Sequence, residues 1–598
     1  MPSLSTKLLG SSAALLALSR NATSQFDWNS ITPSRDLHYV KCYDGLECAR
    51  ALMPLDWLEE SVDRTVTLAV VKVPAKVQTS DHRYGGTVMA NPGGPGASGV
   101  LHMLKNGRYI QDMVGSDELH FEILSFDPRG TGLSTPRADC YASETARQAA
   151  EWQSRGAGEL DSLHIPTLKR ALAKAKAHGH QCARYRDEEV DFNIHEFTAT
   201  ASTARDMLRL VDKTEELRQE TVSRPTAMDS SQQQQPLDGK RKHSSGQGRL
   251  QYYGTSYGTV LGNTFLSMFP GRVKRMILDG VVIPEHWVLG NWDESMRDNH
   301  RAVDYLYQSC FQAGSSECAL RKDSDHSWHE IQQRVQALID RLDNDPAPGV
   351  TVGGPEIFID GVAILELISG QVFSPLDFFE GLSSTLAQAV DGNYTELLEQ
   401  LVPSLSDNDN DNNKEKHGDE DAVTALARPY TWFDDAFSSV ACGDAENPGN
   451  YTLSHWKHVL ERILARYPRL GVRAVDQTIK CAGWQSHPKD RFAGPFISPE
   501  ADPKEVEGRP SAPLLLLSSL YDPVTPLASA NVVARGHPGS SVLVQKSVGH
   551  CTLFSGPSRC LRRAVRAYMA DGTMPQEGAV CGGDCVPFEE CPHERGHL

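Results

Sequence analysis

Residues Tyr252–Gly262, with the sequence YYGTSYGTVLG, contain the pattern G-x-S-x-G at Gly254, Ser256 and Gly258. The pattern is short, and a chain with 48 glycines among 598 residues can contain it by chance. Ser256 is therefore either an activated nucleophile or an ordinary serine between two turn glycines, and the flanking sequence must decide between them.

The flanking sequence places Ser256 between a predicted strand and a predicted helix. An apolar strand is expected to end at Tyr253, and an amphipathic helix is expected to begin near Thr259. A serine on such a tight turn needs small neighbours, which explains Gly254 and Gly258. The N-terminus of the helix would also favour negative charge near Ser256. This context favours the nucleophile, which then requires a histidine and an acid later in the chain.

Short apolar, β-branched runs alternate with amphipathic stretches in both outer parts of the chain. Strands are predicted at Thr65–Val73, Gly86–Ala90, Phe121–Phe126, Leu250–Tyr253, Val273–Leu278, Pro513–Ser518 and Ser541–Gln545. Helices are predicted at Thr198–Leu210, Thr259–Phe269, Met296–Gln308, Ser327–Leu342, Ser454–Tyr467 and Pro526–Arg535. Strands that alternate with helices predict an α/β fold, with a mostly parallel sheet covered by helices on both faces.

Two polar segments and one helical block interrupt this alternation. Residues 212–247 and 404–421 contain the runs DSSQQQQPLDGKRKHSSGQ and SDNDNDNNKEKHGDED. Both are predicted to be disordered insertions, because they cannot bury enough apolar surface to offset the entropy of ordering. Helical patterns dominate residues 284–498, which predicts a cap inserted into the fold. The predicted organisation is a leader at 1–24, core segments at 25–283 and 499–598, and the cap between them.

The acid and the base are expected at strand ends after Ser256, in the order acid and then histidine. Asp522 follows the predicted strand PLLLLS, and His550 lies in KSVGHC after the strand SVLVQ. Asp279, at the end of its own strand, is the competing acid, but the Asp522 loop adjoins the His550 strand along the chain. The sequence therefore predicts a triad of Ser256, Asp522 and His550. The alternative for His550 is a buried structural histidine.

A tetrahedral oxyanion needs two backbone donors. One is expected from the N–H of Tyr257, the residue after the nucleophile, and the second from Gly94 in the loop Asn91–Gly96, NPGGPG. Taken alone, this loop could be a plain Pro-Gly turn. A second turn at the same edge, Asp127–Gly132, is expected to organise the loops, with Arg129 bonding neighbouring carboxylates or carbonyls.

The composition and charge of the chain indicate which partners it can bind, and its N-terminal sequence indicates where it is sent. The protein is 39% hydrophobic and 23% charged, as soluble proteins are, and its net charge of −18 argues against nucleic acid and anionic membranes as partners. Lys7, the apolar run Leu8–Leu18 and the small residues Ala22–Ser24 are typical of a signal peptide. The alternative is an apolar N-terminal helix. No other segment is long and apolar enough to predict a membrane helix.

The 13 cysteines are an odd number, which predicts disulfides with one thiol left over, in agreement with export. Close spacing suggests the pairs Cys42–Cys48 and Cys310–Cys318. An alternative is a zinc site built from residues near the C-terminus, although their spacing is not the usual one: Cys581, Cys585, Cys591, His593 and His597. Sequons at Asn393 and Asn450 would be accessible to glycosylation in a secretory pathway.

Taken together, the motifs resemble one family of peptidases. The motifs are NPGGPG, SFDPRGTGLS, YYGTSYGTVLG, LDGVV, SSLYDPVTP and SVGHCTL, within about 42–587. They are similar to those of the secreted tripeptidyl aminopeptidases, α/β-hydrolase relatives of prolyl iminopeptidase with a TAP-like C-terminal domain. The resemblance implies Ser256 as nucleophile, Asp522 as acid, His550 as base and Gly93–Gly94 as the oxyanion loop. Asn91 stands where prolyl iminopeptidases have histidine, as in the tripeptidyl group.

The resemblance also implies that acidic cap residues hold the free α-amine of the substrate, and Glu285, Asp293 and Glu294 are the candidates. The expected activity is that of a secreted, monomeric serine exopeptidase that removes short peptides or single residues from free N-termini. Nothing in the sequence indicates a metal or an organic cofactor. Two alternatives remain open: an ester hydrolase that uses the same triad, and a catalytically silent binding protein on the same scaffold.

Overall fold

The computed structural model describes residues 26–59, 63–155, 165–185, 190–223, 248–350, 356–401, 430–446, 451–467 and 471–591. The predicted leader at 1–24, the acidic insertion at 404–421 and the sequon residue Asn450 lie outside these ranges.

A ten-stranded sheet forms the centre of the described structure. The strands in chain order are β1 (Val40–Cys42), β2 (Leu46–Pro54), β3 (Thr65–Val73), β4 (Tyr84–Asn91), β5 (His120–Phe126), β6 (Leu250–Thr255), β7 (Val273–Asp279), β8 (Ala347–Val350), β9 (Glu356–Ile359), β10 (Leu515–Tyr521), β11 (Ser541–Val548) and β12 (Val580–Gly582). Across the sheet the order is β1-β2-β3-β5-β4-β6-β7-β10-β11-β12, while β8 and β9 form a separate hairpin. Pairing is antiparallel from β1 to β5 and parallel from β5 to β12. The predicted, mostly parallel α/β sheet is confirmed.

Helices connect these strands and cover the sheet. They are α1 (Gly99–Val114), α2 (Glu144–Arg155), α3 (Ile165–Arg184), α4 (Thr200–Ser223), α5 (Tyr257–Met268), α6 (Pro284–Val288), α7 (Asn299–Ala313), α8 (Trp328–Asn344), α9 (Gly361–Gln371), α10 (Pro375–Val390), α11 (Thr395–Leu401), α12 (Phe433–Asp444), α13 (Leu453–Arg466), α14 (Gly471–Lys480), α15 (Leu527–Ala534), α16 (Cys551–Phe554) and α17 (Arg559–Asp571). Within the described ranges, none of them has both the length and the apolar character that a membrane crossing requires.

The central strands are apolar almost throughout because both faces of the sheet are buried. Tyr252 of β6 belongs to one hydrophobic cluster together with Leu261 and Phe265 of α5. Its neighbour Tyr253 points to the other face and belongs to a second cluster, together with Met103 of α1. Removing such a side chain from water contributes roughly 1.5–3 kcal/mol. The alternation along β6 therefore fixes which face of the strand each helix covers, and with it the position of the turn that follows.

The chain between β7 and β10 is mainly helical, as the sequence predicts, and has a hydrophobic cluster of its own around Ile331, Leu338 and Phe379. The hairpin of β8 and β9 was not predicted, because each of its strands has only four residues. The limits of the cap at 284 and 498 remain an interpretation of the sequence.

The predicted disorder of residues 212–247 is wrong for their first part. Helix α4 continues to Ser223, well past the predicted end at Leu210. Two ion pairs with i,i+3 spacing, Lys213–Glu216 at 2.7 Å and Arg218–Glu215 at 2.6 Å, stabilise these last turns. Charged residues that suggest a loop by composition thus form ion pairs along a helix. Residues 224–247 lie outside the described ranges.

Twelve cysteines form disulfides, and all thirteen lie in described residues. The pairs are Cys42–Cys48, Cys140–Cys182, Cys310–Cys318, Cys442–Cys481, Cys560–Cys581 and Cys585–Cys591. The two suggested pairs are confirmed. The alternative zinc site is wrong, because its three cysteines are oxidised and offer no thiolate, while His593 and His597 lie outside the described ranges. The left-over thiol is Cys551, which is buried.

Candidate active site

Ser256 lies on a tight turn between β6 and α5, at the carboxyl end of the strand. Its φ of 55° and ψ of −126° are unusual for a serine, and such a conformation costs on the order of 1–3 kcal/mol. The turn is held by hydrogen bonds from Ser256 N to Asp279 O at 3.0 Å and from Thr259 N to Ser256 O at 2.8 Å. The predicted strand–turn–helix context of the serine is confirmed.

The two glycines of the motif have no room for a side chain. A Cβ on Gly254 would lie 2.5 Å from the carbonyl oxygen of Gly258, and a Cβ on Gly258 would lie 2.8 Å from the carbonyl oxygen of Asn91. The predicted need for small residues beside Ser256 is therefore confirmed. It arises from the close approach of neighbouring backbone.

We expect Gly258→Ala to lower kcat by at least about tenfold, because the new Cβ would displace Asn91. The Oδ1 of Asn91 accepts the N–H of Gly93 at 3.0 Å, so the displacement would move the loop next to Ser256. The matched control is Gly370→Ala in α9, where a Cβ meets nothing within 4 Å. The control should keep kcat and gain up to about 1 kcal/mol in the free energy of unfolding. Wild-type kcat in folded Gly258→Ala would contradict this arrangement.

His550 and Asp522 meet at the carboxyl ends of β11 and β10. The Nδ1 of His550 lies 3.0 Å from Asp522 Oδ1 and 3.2 Å from Oδ2. The Asp522 carboxylate also accepts the backbone N–H groups of Thr525 and Cys551, both at 2.8 Å. Burial alone would raise the pKa of Asp522, but the charge and hydrogen bond of His550, with the backbone donors, hold it below its ordinary value. Asp522 is thus an ionised acceptor that holds the imidazole through Nδ1 and leaves Nε2 for chemistry.

Asp279, the competing acid, bonds a different set of groups. Its carboxylate accepts the Tyr253 hydroxyl at 2.8 Å, the Thr552 N–H at 2.7 Å and the Leu553 N–H at 3.1 Å. It is fully buried, and burial raises its pKa. In the described structure the imidazole of His550 is bonded by Asp522, while Asp279 holds the start of α16, the turn that follows the histidine.

Ser256 and His550 line one cavity of about 310 Å³, together with Gly94 and Tyr257. This volume is at the lower end of the usual range for small-molecule sites. The structure therefore brings together the three residues of the predicted triad and both residues of the predicted oxyanion hole.

The predicted oxyanion loop packs directly on the serine turn. A Cβ on Gly93 would lie 2.8 Å from Ser256 Cβ and 3.0 Å from Tyr257 N. The Thr255 hydroxyl donates to the carbonyl oxygen of Pro92 at 2.9 Å and so ties the loop to β6. Gly93 also has a φ of 92°, which favours glycine.

The second predicted turn, Asp127–Gly132, organises this edge of the sheet. Buried Arg129 donates to both carboxylate oxygens of Asp206, at 2.6 and 2.7 Å, and to the carbonyl oxygen of Leu55 at 2.8 Å. The predicted role of Arg129 as a loop organiser is confirmed.

Aromatic side chains from the helical block form one wall of the cavity. The rings of Trp287 and Trp292 lie 5.0 Å apart between centroids, and that of Phe437 lies 6.2 Å from that of Trp292. The Trp287 ring also lies 5.0 Å from the ring of Tyr257. Side chains of this kind favour an apolar substrate group beside Ser256.

The three acidic candidates occupy different surroundings. Glu294 lines the cavity, and its carboxylate lies 3.0 Å from Arg466 and 3.3 Å from Arg297. Asp293 is buried and pairs with Arg462, and Glu285 is exposed. Only Glu294 of the three is among the cavity-lining residues.

Three further residues contact His550 and were not predicted. The Thr525 hydroxyl lies 3.3 Å from His550 Nδ1. The Phe373 carbonyl accepts the His550 N–H at 2.8 Å, and its ring lies edge-on to the imidazole at 5.0 Å. Cys551 follows the histidine at φ 61°, and burial, followed by the charges of Asp279 and Asp522, raises the pKa of its thiol. The position of Thr525, three residues after Asp522, was the one available sequence signal, because Asp often accepts nearby backbone N–H groups.

Comparison with known proteins identifies a family domain in the C-terminal part of the chain. Residues 467–581 match the family described as TAP-like protein. The chain contains a TAP-like domain. The match includes β10, β11 and the residues Asp522 and His550, and it begins inside the segment interpreted as the cap.

Curated relatives match this chain over most of its length. Serine protease Hip1 of Mycobacterium tuberculosis is 24% identical over 92% of this chain and 90% of its own. Tripeptidyl aminopeptidase of Streptomyces lividans is 22% identical over 96% of this chain and 90% of its own. Carboxylesterase B of Mycobacterium tuberculosis is 26% identical over 89% of this chain and 86% of its own. The relatives identify a serine hydrolase, and their names include both peptidases and an esterase.

Among solved structures, an acetylester hydrolase from Corynebacterium glutamicum aligns with a TM-score of 0.32 at 11% identity, over 88% of this chain and 95% of its own.

Proposed function

We propose that this chain, with its TAP-like domain, is an exported serine exopeptidase that removes short peptides from free N-termini. The observation that carries the proposal is the arrangement of Ser256, His550 and Asp522. The first two line one cavity, and the third holds the imidazole through Nδ1 at 3.0 Å.

In the proposed mechanism, Ser256 Oγ attacks the scissile carbonyl while His550 Nε2 accepts its proton. Asp522 stabilises the imidazolium and fixes its tautomer. The N–H groups of Tyr257 and Gly94 donate to the oxyanion that forms. His550 then protonates the leaving amine, and the C–N bond breaks to leave an ester on Ser256. Water, deprotonated by the same imidazole, hydrolyses this acyl-enzyme and releases the N-terminal peptide.

Binding of a free α-amine has support from acceptors on the cavity wall. Glu294 contributes a carboxylate that two arginines hold in place. Asn299 and Gln477 also line the cavity, and their buried amide oxygens, Oδ1 and Oε1, have no hydrogen-bond partner among the described residues. The Asn299 amide is oriented, because its Nδ2 donates to the Pro523 carbonyl at 3.2 Å. An ammonium group offers three donors and no acceptor, which suits such a wall.

The proposal extends to the cap and to export. The helical segment 284–498 supplies the aromatic wall and Glu294, so we assign to it the exclusion of folded proteins from the triad. The disulfides are typical of an oxidising compartment, and Asn393 is exposed, as a glycosylated residue must be.

The test compares the release of a fluorescent amine from one-, two- and three-residue peptides with free or acetylated N-termini. We expect hydrolysis of the free peptides and at least about a hundredfold lower kcat/KM for the acetylated ones, since acetylation removes the charge. Glu294→Gln should raise KM for free peptides by about tenfold, with Glu285→Gln, an exposed residue of α6, as the matched control. Equal rates on free and acetylated peptides would contradict amine recognition.

A carboxylic-ester hydrolase is the second candidate, favoured by the relative named carboxylesterase B. The same triad cleaves esters, and the fold does not determine the substrate. Cleavage of short acyl esters with no turnover of any free peptide would establish this candidate instead.

A further inference from the structure

Asp444 is a buried carboxylate outside the predicted triad, at the last residue of α12. It accepts the N–H of Thr200 at 2.9 Å, the hydroxyl of Thr200 at 2.5 Å and the indole N–H of Trp287 at 2.9 Å. An anion at a helix C-terminus is unfavourable, and burial raises the pKa of Asp444. Thr200 opens α4, so its N–H lies at a helix N-terminus, which favours the anion. The carboxylate thus joins three helices: α12, α4 and α6.

The same hydrogen-bond chain continues to the residue after the nucleophile. Thr200 Oγ1 lies 2.5 Å from the hydroxyl oxygen of Tyr257. Since the Thr200 hydroxyl donates to Asp444, the Tyr257 hydroxyl is the donor to Thr200. The chain therefore runs from Tyr257 through Thr200 to Asp444, and all three side chains are buried.

Helix α12 also packs against the predicted oxyanion loop. A Cβ on Gly96 would lie 3.2 Å from Phe437 N and 3.3 Å from Phe433 O. The Tyr430 hydroxyl, just before the helix, donates to the carbonyl oxygen of Gly96. One helix thus contacts the Gly94–Gly96 loop and, through Asp444 and Thr200, the Tyr257 side chain.

We propose that Asp444 is a positioning residue for hydrolysis. Through Thr200 it fixes Tyr257, whose N–H is a predicted oxyanion donor, and it directly holds Trp287 in the aromatic wall. The inference rests on the proposed function of Ser256. It gives the cap a role in the chemistry beyond covering the site, because a cap helix sets the geometry of the oxyanion hole.

The side chains suggest variants that separate this role from packing. Asp444→Asn keeps the volume but has only one acceptor oxygen, so at least one of the three donors loses its partner. Thr200→Val keeps the shape and removes the hydroxyl that links Asp444 to Tyr257. Thr200→Ser restores this hydroxyl. Asp434→Asn, at an exposed position on the same helix, is the matched control.

The experiment measures the second-order rate of labelling by a fluorophosphonate, together with kcat and KM on a cleaved peptide or ester. Rates are expressed per folded molecule. We expect Asp444→Asn and Thr200→Val to lower the labelling rate and kcat by about ten- to a hundredfold. For Thr200→Val, KM should stay within about threefold, since the wall residue Trp287 keeps its acceptor. Thr200→Ser and Asp434→Asn should stay within about twofold of wild type.

A wild-type labelling rate in folded Thr200→Val overturns the inference, as does an equal loss in Thr200→Val and Thr200→Ser. If Asp444→Asn does not fold, the two Thr200 variants decide the question alone. Ser256→Ala is run in parallel. Labelling that persists in Ser256→Ala overturns the proposed function itself. If Ser256→Ala is not labelled and folded Thr200→Val is labelled at the wild-type rate, only the role of Asp444 is overturned.

Discussion

Replacement of Ser256 by alanine should lower kcat by up to about a million-fold, the loss expected when a nucleophile acts as one unit with its base and acid. The fold should be retained, because alanine removes only the Oγ atom and the turn is held by backbone bonds to Asp279 and Thr259. The measurement is steady-state hydrolysis of the best peptide or ester substrate, with the thermal midpoint of unfolding measured on the same samples.

Ser267→Ala is the matched control for this loss. Ser267 lies on α5, the helix that Ser256 precedes, and its hydroxyl bonds Asn263 Oδ1 at 3.4 Å within that helix. Its replacement should leave kcat within about twofold of wild type, as surface or helix-facing hydroxyls contribute little. A loss near tenfold in Ser256→Ala would mean that water is activated without an acyl-enzyme, and it would contradict the assignment of the nucleophile.

Asp522→Asn should lower kcat by about ten-thousand-fold while Ser256 and His550 stay in place. The amide would offer an N–H where the carboxylate accepts the His550 Nδ1–H, so it would favour the tautomer that cannot take the serine proton. Because the pKa of Asp522 is held below its ordinary value, its carboxylate is ionised at neutral pH. Asp522→Asn therefore replaces a negative charge by a neutral amide. Steady-state kinetics on folded protein measures the effect.

Asp279→Asn distinguishes the two buried acids. Asp279 holds Tyr253 and the start of α16. Asp279→Asn should therefore lower the free energy of unfolding by about 1–3 kcal/mol. Its effect on kcat should be much smaller than that of Asp522→Asn. If instead Asp279→Asn loses more activity than Asp522→Asn, the acid of the triad is Asp279 and the reading of the His550 contacts is wrong.

The sequence alone was sufficient to predict the candidate site residues that lie at the ends of strands. Ser256, Asp522 and His550 each follow an apolar run, and parallel strands deliver the residues at their carboxyl ends to one edge. The strands were found because burial on both faces demands continuous apolar residues, as in β6. The short strands β1 and β12 lack such a run and were missed. Strand β2, where buried and partly exposed residues mostly alternate, was missed as well.

The cap side of the site could not be predicted in the same way. Phe373 lies in the turn between α9 and α10, and Asp444 is the last residue of α12. Both are far along the chain from Ser256, and no local motif marks them. Their contacts depend on how the helical block packs on the sheet. The periodicity of apolar residues along a helix does not determine that packing. The disulfide Cys140–Cys182 could not be predicted either, because its two cysteines are 42 residues apart and only the tertiary structure brings them together. The acidic candidates show the same limit: composition suggested three residues, and the cavity includes one.

The most direct test of the account is to locate the covalent adduct of a fluorophosphonate by peptide mass spectrometry. Trypsin should release residues 250–272, which contain both Ser256 and Ser267, so fragment ions must assign the modified serine. We predict one adduct, on Ser256, that is absent when His550 is replaced by alanine. An adduct on any other residue, or no adduct on folded protein that hydrolyses its substrate, would contradict the claim that Ser256 is the activated nucleophile.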